Sequence, residues 1–139
     1  MTTLKQKIEA LGEQDYMSDG QLAIFKEALI FEKSRLIESS KNTRNEVEEE
    51  SGHTFSDPVD KSQRVIDASI RSAQEFVRSK RIKQINAALD AIRAGDFGYC
   101  EECGGEIGIA RLCINPCASM DVSCQEMSET STKQLLGTH

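Results

Sequence analysis

Cys100-Glu101-Glu102-Cys103 is followed at once by Gly104 and Gly105, and this knuckle restricts the chain more than any other stretch. Two thiolates at that spacing can grip one metal ion, and the glycines allow a tight turn beneath it. A closed structural zinc site usually draws its remaining ligands from a second Cys-x-x-Cys about 15–20 residues on. The matching place here reads Asp121-Val122-Ser123-Cys124, so an aspartate stands where a cysteine is expected. Cys124 is well placed as the third ligand. The fourth is open between Cys117 and Asp121, whose carboxylate is a harder donor than thiolate. Cys113 would need a larger rearrangement. The contrary reading is that no metal binds and that Cys113 and Cys117 are small buried apolar residues. A redox Cys-x-x-Cys usually opens a helix that follows a strand, where the helix dipole lowers a thiol pKa. This motif instead follows a helical pattern and is trailed by glycines, which counts against redox chemistry.

The rest of the chain has little material for a large core. Of 139 residues 38% are apolar, with no Trp and two Tyr, so a metal or an extended helical shape is expected. The net charge of −6 argues against gripping a nucleic-acid backbone, which needs a basic stripe. No stretch is long and apolar enough to span a bilayer, and the N-terminal residues lack the apolar run of a signal peptide. A cytoplasmic protein with reduced cysteines is expected.

Periodicity predicts a mainly α protein: a long antiparallel coiled-coil hairpin, a small zinc-finger-like globular module and a C-terminal helix. Residues 1–17 read as a short helix or a loose arm. Residues 18–94 read as the hairpin. Its first helix starts at Ser18 or Asp19, with a seam of Leu22, Phe25, Leu29, Leu36, Thr43 and Val47. An acidic tip loop follows near 52–62, where Pro58 disfavours helix at Asp57. The second helix starts near Asp60 or Ser62. Val65, Ile66, Ile70, Ala73, Val77, Ile85, Leu89 and Ile92 mark its buried stripe, and Gly95 stops it. Such a hairpin is about 40 Å or more long at 1.5 Å per residue. Residues 95–139 hold the knuckle module, with a last helix from about Ser123 to Leu136.

Two further features are candidates for function. Asp57 and Asp60 flank Pro58 at the tip; by residue type they are turn and cap residues, but two carboxylates on a stalk can also perturb a bound Mg²⁺. Arg71, Arg78, Lys80, Arg81 and Lys83 form a basic patch, either a solvated helix face or a dock for an acidic surface. There is no Ser/His/Asp set and no phosphate-cradling glycine loop, and no enzyme is expected.

The order of helix, D-P-x-D loop, helix and then FGYCxxCGxxIxxxRL resembles the DksA/TraR family of bacterial transcription factors. Ile82–Leu112 is similar to that family's finger entry, Asp57-Pro58-Val59-Asp60 to its coiled-coil tip, and Asp15–Leu22 to the segment opening its first long helix. The resemblance implies direct binding to RNA polymerase, with the hairpin inserted through the secondary channel and Asp57 and Asp60 reaching toward the catalytic centre. It implies inhibition of ribosomal RNA promoters, activation of some amino-acid biosynthesis promoters, and no sequence-specific DNA contact. Entry into a channel implies a monomer. Three departures stand out. Ser62 replaces the family's alanine beside the tip, which implies a weakened tip. Asp121 replaces a finger cysteine. Gln84, Asn115 and Gln125 stand where family members carry basic residues for the alarmone ppGpp, which implies weak or absent ppGpp response. The alternatives are a zinc-stapled helical adaptor for another protein and a thiol redox sensor.

Overall fold

The computed structural model describes residues 3–50 and 58–137, with side chains at 3–45 and 58–137. Five helices occur among them: α1 (Leu4–Ala10), α2 (Asp19–Glu50), α3 (Pro58–Ala94), α4 (Ile109–Ile114) and α5 (Val122–Leu136). Among the described residues extended pairing is confined to an isolated antiparallel bridge between Tyr99 and Glu106. The architecture is mainly α, as the periodicity predicts.

Local chemistry sets the helix ends. Thr3 and Gln6 form a capping box, so the segment before residue 17 does contain a short helix. The Ser18 hydroxyl accepts from the Gln21 N–H at 3.3 Å and opens α2. Pro58 stands at the first position of α3, earlier than the expected start at Asp60 or Ser62; proline is tolerated there because a first-turn N–H has no partner within the helix. At the far end Gly95 has φ of 83°, its N–H bonds the Ile92 carbonyl, and the Asp96 N–H bonds the Ala91 carbonyl at 2.9 Å. These paired bonds form a Schellman stop. Asp121 caps α5.

The chain divides into two compact units, one of Met1–Leu29 with Asn86–His139 and one of Ile30–Ile85. The division falls within α2 and α3, not at Gly95, because the first turns of α2 and the last turns of α3 supply core to the knuckle module. In the first unit Phe25, Leu29 and Leu112 are fully buried, and Ile8, Leu89, Phe97 and Ile107 nearly so. The Phe25 and Phe97 rings lie 5.5 Å apart, tilted by 51°. α1 packs on α4. Each large side chain buried here contributes about 1.5–3 kcal/mol.

In the second unit α2 and α3 run antiparallel, matched by polar contacts. Glu32 accepts from Arg81 Nε at 2.7 Å and Nη2 at 3.1 Å, and the Ser40 hydroxyl donates to Glu75 at 2.7 Å. Arg78 reaches Glu75 at 3.1 Å and Thr43 at 3.4 Å. This corrects the stripe expected on α3. Ile85 and Leu89 are buried and Ile92 half-buried, but Val65, Ile66, Ile70, Ala73 and Val77 are exposed. The half-buried line is Arg64, Asp67, Arg71, Glu75, Arg78 and Ile82. One helix covers only a narrow strip of its neighbour, and the Arg81–Glu32 and Ser40–Glu75 pairs assign that strip to polar residues. On α2 the expected seam is turned inward at Phe25 and Leu29 and half-buried at Leu22, Leu36 and Thr43; the Val47 side chain lies outside the described residues. Gln21 and Ser40 are buried without having been part of the seam.

Candidate functional site

The knuckle is a tight hairpin turn. The Cys100 N–H bonds the Gly105 carbonyl at 2.7 Å, the Gly104 N–H bonds the Cys100 carbonyl at 2.9 Å, and the Ile107 N–H bonds the Gly98 carbonyl at 2.8 Å. Tyr16 fastens it from outside. Its hydroxyl donates to the Gly98 carbonyl at 2.6 Å and accepts from the Gly108 N–H at 2.9 Å. The Tyr16 ring meets Tyr99 edge-on at 5.7 Å, and burial raises the phenol pKa. Gly98 has φ of 91°, and a Cβ there would stand 2.7 Å from Met17 Cγ and 2.8 Å from its Sδ, so only glycine fits.

Residues 119–121 are tied to this turn by the Glu101 N–H on the Ser119 carbonyl at 2.9 Å and by Arg111 Nε on the Met120 carbonyl at 3.0 Å. Asp121 is thereby set beside the knuckle. One ligand atom each from Cys100, Cys103, Asp121 and Cys124 lies within 4.8 Å of all the others. A tetrahedron with zinc–sulfur bonds of about 2.3 Å has edges of about 3.8 Å, so small inward shifts would complete it. Of the two residues open for the fourth place, Asp121 joins the group and Cys117 does not. The Cys117 N–H is turned onto Asn115 Oδ1 at 3.1 Å, in a turn closed by the Ala118 N–H on the Asn115 carbonyl. Cys113 lies in α4, half-buried, its pKa raised by that burial.

The Asp121 carboxylate has two distinct attachments. Oδ1 accepts the Cys124 N–H at 2.8 Å, capping α5, and Oδ2 accepts from the Cys103 thiol at 3.0 Å. The Cys124 N–H, aided by Cys103, holds the carboxyl pKa low. Asp121 in turn keeps the proton on Cys103 and raises its pKa. Cys100 is drawn down to about 7, chiefly by the Cys103 backbone N–H on its sulfur, against burial. Cys124 is pushed up to about 12, first by its hydrogen bond to Cys100 and then by burial. The group thus holds protons between thiols and carboxylate, and a divalent cation bound there would displace them. Three thiolates and one oxygen suit zinc.

Asp60 and Ser62 are exposed in the first turns of α3, while Asp57 lies outside the described residues. Gln84 is exposed on α3, Asn115 ends α4, and Gln125 stands in the first turn of α5 bonded to Glu129. Tyr16 and the Glu32–Arg81 pair escaped the sequence reading, and neither has a local signature. The capping role of Asp121 did have one: an aspartate three residues before the N–H it accepts. Among the described residues no helix is long and apolar enough to cross a membrane.

No family model matches the chain. It is 34% identical over 124 residues to the RNA polymerase-binding transcription factor DksA of Escherichia coli (strain K12), covering 89% of this chain and 82% of that protein. The protein of the same name from Haemophilus influenzae is 30% identical, with 90% and 86% covered. Among solved structures, transcription factor DksA2 from Pseudomonas aeruginosa matches with a TM-score of 0.78 and 25% identity, over 90% of this chain and 97% of that one. The RNA polymerase binding protein and transcriptional regulator Dks from Chlamydia trachomatis is similar in fold, with a TM-score of 0.52, 24% identity, and 84% and 95% covered.

Proposed function

This chain belongs to the DksA family, and we propose from that membership that it binds RNA polymerase directly and regulates transcription initiation. The observation that carries this is 34% identity over 89% of the chain to a relative named for polymerase binding. The hairpin of α2 and α3 enters the secondary channel as a monomer. Asp57 and Asp60 act at the catalytic centre, where two carboxylates can perturb a bound Mg²⁺. Ser62, beside them, weakens the tip. Ribosomal RNA promoters are inhibited and some amino-acid biosynthesis promoters activated, without sequence-specific DNA contact. The protein is a cytoplasmic regulator and performs no catalysis of its own.

Zinc is held by Cys100, Cys103, Cys124 and Asp121. The gathering of those four ligand atoms supports Asp121 over Cys117 as the fourth. Bound zinc would staple the knuckle to the start of α5; the chain's own part is to fix the donors, through the Tyr16 bonds and the Asp121 cap. Gln84, Asn115 and Gln125 offer no positive charge to a polyphosphate, so ppGpp binding is weak.

Transcription in vitro from a ribosomal RNA promoter, with purified bacterial polymerase, tests the reading. Wild type should inhibit, Asp57→Asn/Asp60→Asn should bind polymerase without inhibiting, and ppGpp should add little to either. A folded wild-type protein that leaves transcript levels unchanged refutes the proposal.

A further inference from the structure

The candidate donors arrive on two stretches of chain, Cys100 and Cys103 on the knuckle and Asp121 and Cys124 at the entry to α5. A third stretch, distant in sequence, holds both. The Tyr16 hydroxyl donates to the Gly98 carbonyl, two residues before Cys100, and accepts the N–H of Gly108, the N-cap of α4. The N–H of an N-cap residue has no partner within its own helix, and the phenol oxygen supplies one. From α4, Arg111 Nε bonds the Met120 carbonyl at 3.0 Å, one residue before Asp121. Tyr16 is thus tied toward Cys100 on one side and toward Asp121 on the other.

Met17 is a second, independent sign of the same fit. Its φ of 54° lies in the left-handed region, which residues other than glycine rarely adopt. Such a conformation persists only where neighbours hold it. The neighbour here is the knuckle, since a Cβ on Gly98 would stand 2.7 Å from Met17 Cγ. The same segment joins two helices. Leu11, just past α1, would lie 3.4 Å from a Cβ on Gly20, and the Leu22 N–H bonds the Ser18 carbonyl at 2.9 Å in the first turn of α2.

We propose that Tyr16 is a positioning residue for the metal, and that metal occupancy and the docking of residues 11–18 are coupled. The inference rests on the reading of zinc held by Cys100, Cys103, Cys124 and Asp121. With the hydroxyl in place, the two donor-bearing stretches are already held together when the metal arrives. Without it the start of α4, and with it the Arg111–Met120 tie, is free to drift. Outer partners that hold ligands in place are commonly worth about ten- to a hundredfold in metal affinity, and one acting through the backbone belongs at the lower end, about tenfold. Coupling between two binding events is reciprocal, so bound zinc holds the Tyr16 segment by the same factor. Metal occupancy thereby governs how firmly the join between α1 and α2 sits on the knuckle.

The test is zinc binding to the full chain, read by competition with a chromophoric chelator, with hydrogen exchange on the same samples. Tyr16→Phe keeps the ring and its edge contact with Tyr99 and removes only the oxygen. It should keep its helical circular dichroism and bind zinc about tenfold more weakly. In wild type, exchange at residues 11–18 should slow about tenfold on loading. A residue with a merely structural role would lower stability and leave the affinity of the folded protein unchanged. The two tyrosines and the lack of Trp give a spectroscopic readout. In Tyr99→Phe the remaining tyrosine emission is that of Tyr16, and it should change with the same midpoint as zinc uptake. Equal affinity in wild type and folded Tyr16→Phe overturns the coupling alone. So does wild-type exchange at residues 11–18 that is indifferent to zinc, a result that needs no variant. A wild type that takes up no zinc overturns the donor assignment and the coupling with it.

Discussion

Tyr16 bonds two backbone groups of the knuckle with one hydroxyl; the Gly98 carbonyl also accepts from the Ile107 N–H, so it is the Gly108 N–H that loses its hydroxyl partner on substitution. Tyr16→Phe should therefore lower the stability of the first unit by about 1–3 kcal/mol in urea denaturation. A loss within error of zero would mean that solvent replaces the hydroxyl. Gly98→Ala should cost a similar amount, about 1–3 kcal/mol, from its positive φ and the collision with Met17. Two groups give opposite pH limbs. Burial raises the Tyr16 pKa above its ordinary 10.0, so its contribution is whole below pH 10.0 and fades as pH rises through the folded value. The Ser40 hydroxyl lowers the Glu75 pKa below 4.5, so that contribution is present above pH 4.5 and fades as pH falls through the folded value. Thermal denaturation against pH should show Glu75→Gln flattening the acid limb alone.

At the scale of elements, α5 depends on its first turn. It buries no side chain, and Thr130 and Thr132 turn their hydroxyls back to the carbonyls of Glu126 and Ser128. Such a short, hydroxyl-rich helix has little intrinsic stability. Its cap and the proposed fourth ligand are one carboxylate, and substitutions separate the two roles. Asp121→Asn keeps an acceptor for the Cys124 N–H but gives up the anionic donor; Asp121→Ala loses both. Cobalt titration should show weakened binding in both variants and unchanged binding in Cys117→Ser. Hydrogen exchange should show α5 loosened by about 1 kcal/mol in Asp121→Ala only. Equal loosening in both variants would contradict the shared role. The legibility of each element follows from its chemistry. Gly95 stops α3 by a local motif, and the two knuckle cysteines sit at a spacing that geometry imposes. The place of Asp121 beside the knuckle was harder to read, because spacing rules count cysteines while Asp121 is held there by capping α5. The α3 stripe was legible as helix but not as a face. Periodicity reports that apolar residues align, whereas Arg81 and Glu32, distant in sequence, decide which side turns inward.

For the molecule as a whole, the candidate metal donors belong to the first unit alone. Chelation should strip order from the knuckle and α5 while most far-ultraviolet dichroism, which comes from α2 and α3, remains. Wholesale loss of helix on chelation would show that the second unit depends on the metal too. The first unit is assembled from both ends of the chain, and the second from one continuous run. Tyr16 meets Gly98 across 82 residues. A ribosome adding about 5–20 residues per second leaves Tyr16 waiting roughly 4–16 s for that partner to be made. Over the same interval Phe25 and Leu29, fully covered in the finished molecule, precede Phe97 and Leu112 in synthesis. Until Phe97 and Leu112 emerge the burial of Phe25 and Leu29 is incomplete, and the neighbouring charges of Lys26, Glu27, Glu32 and Lys33 oppose self-association of that segment.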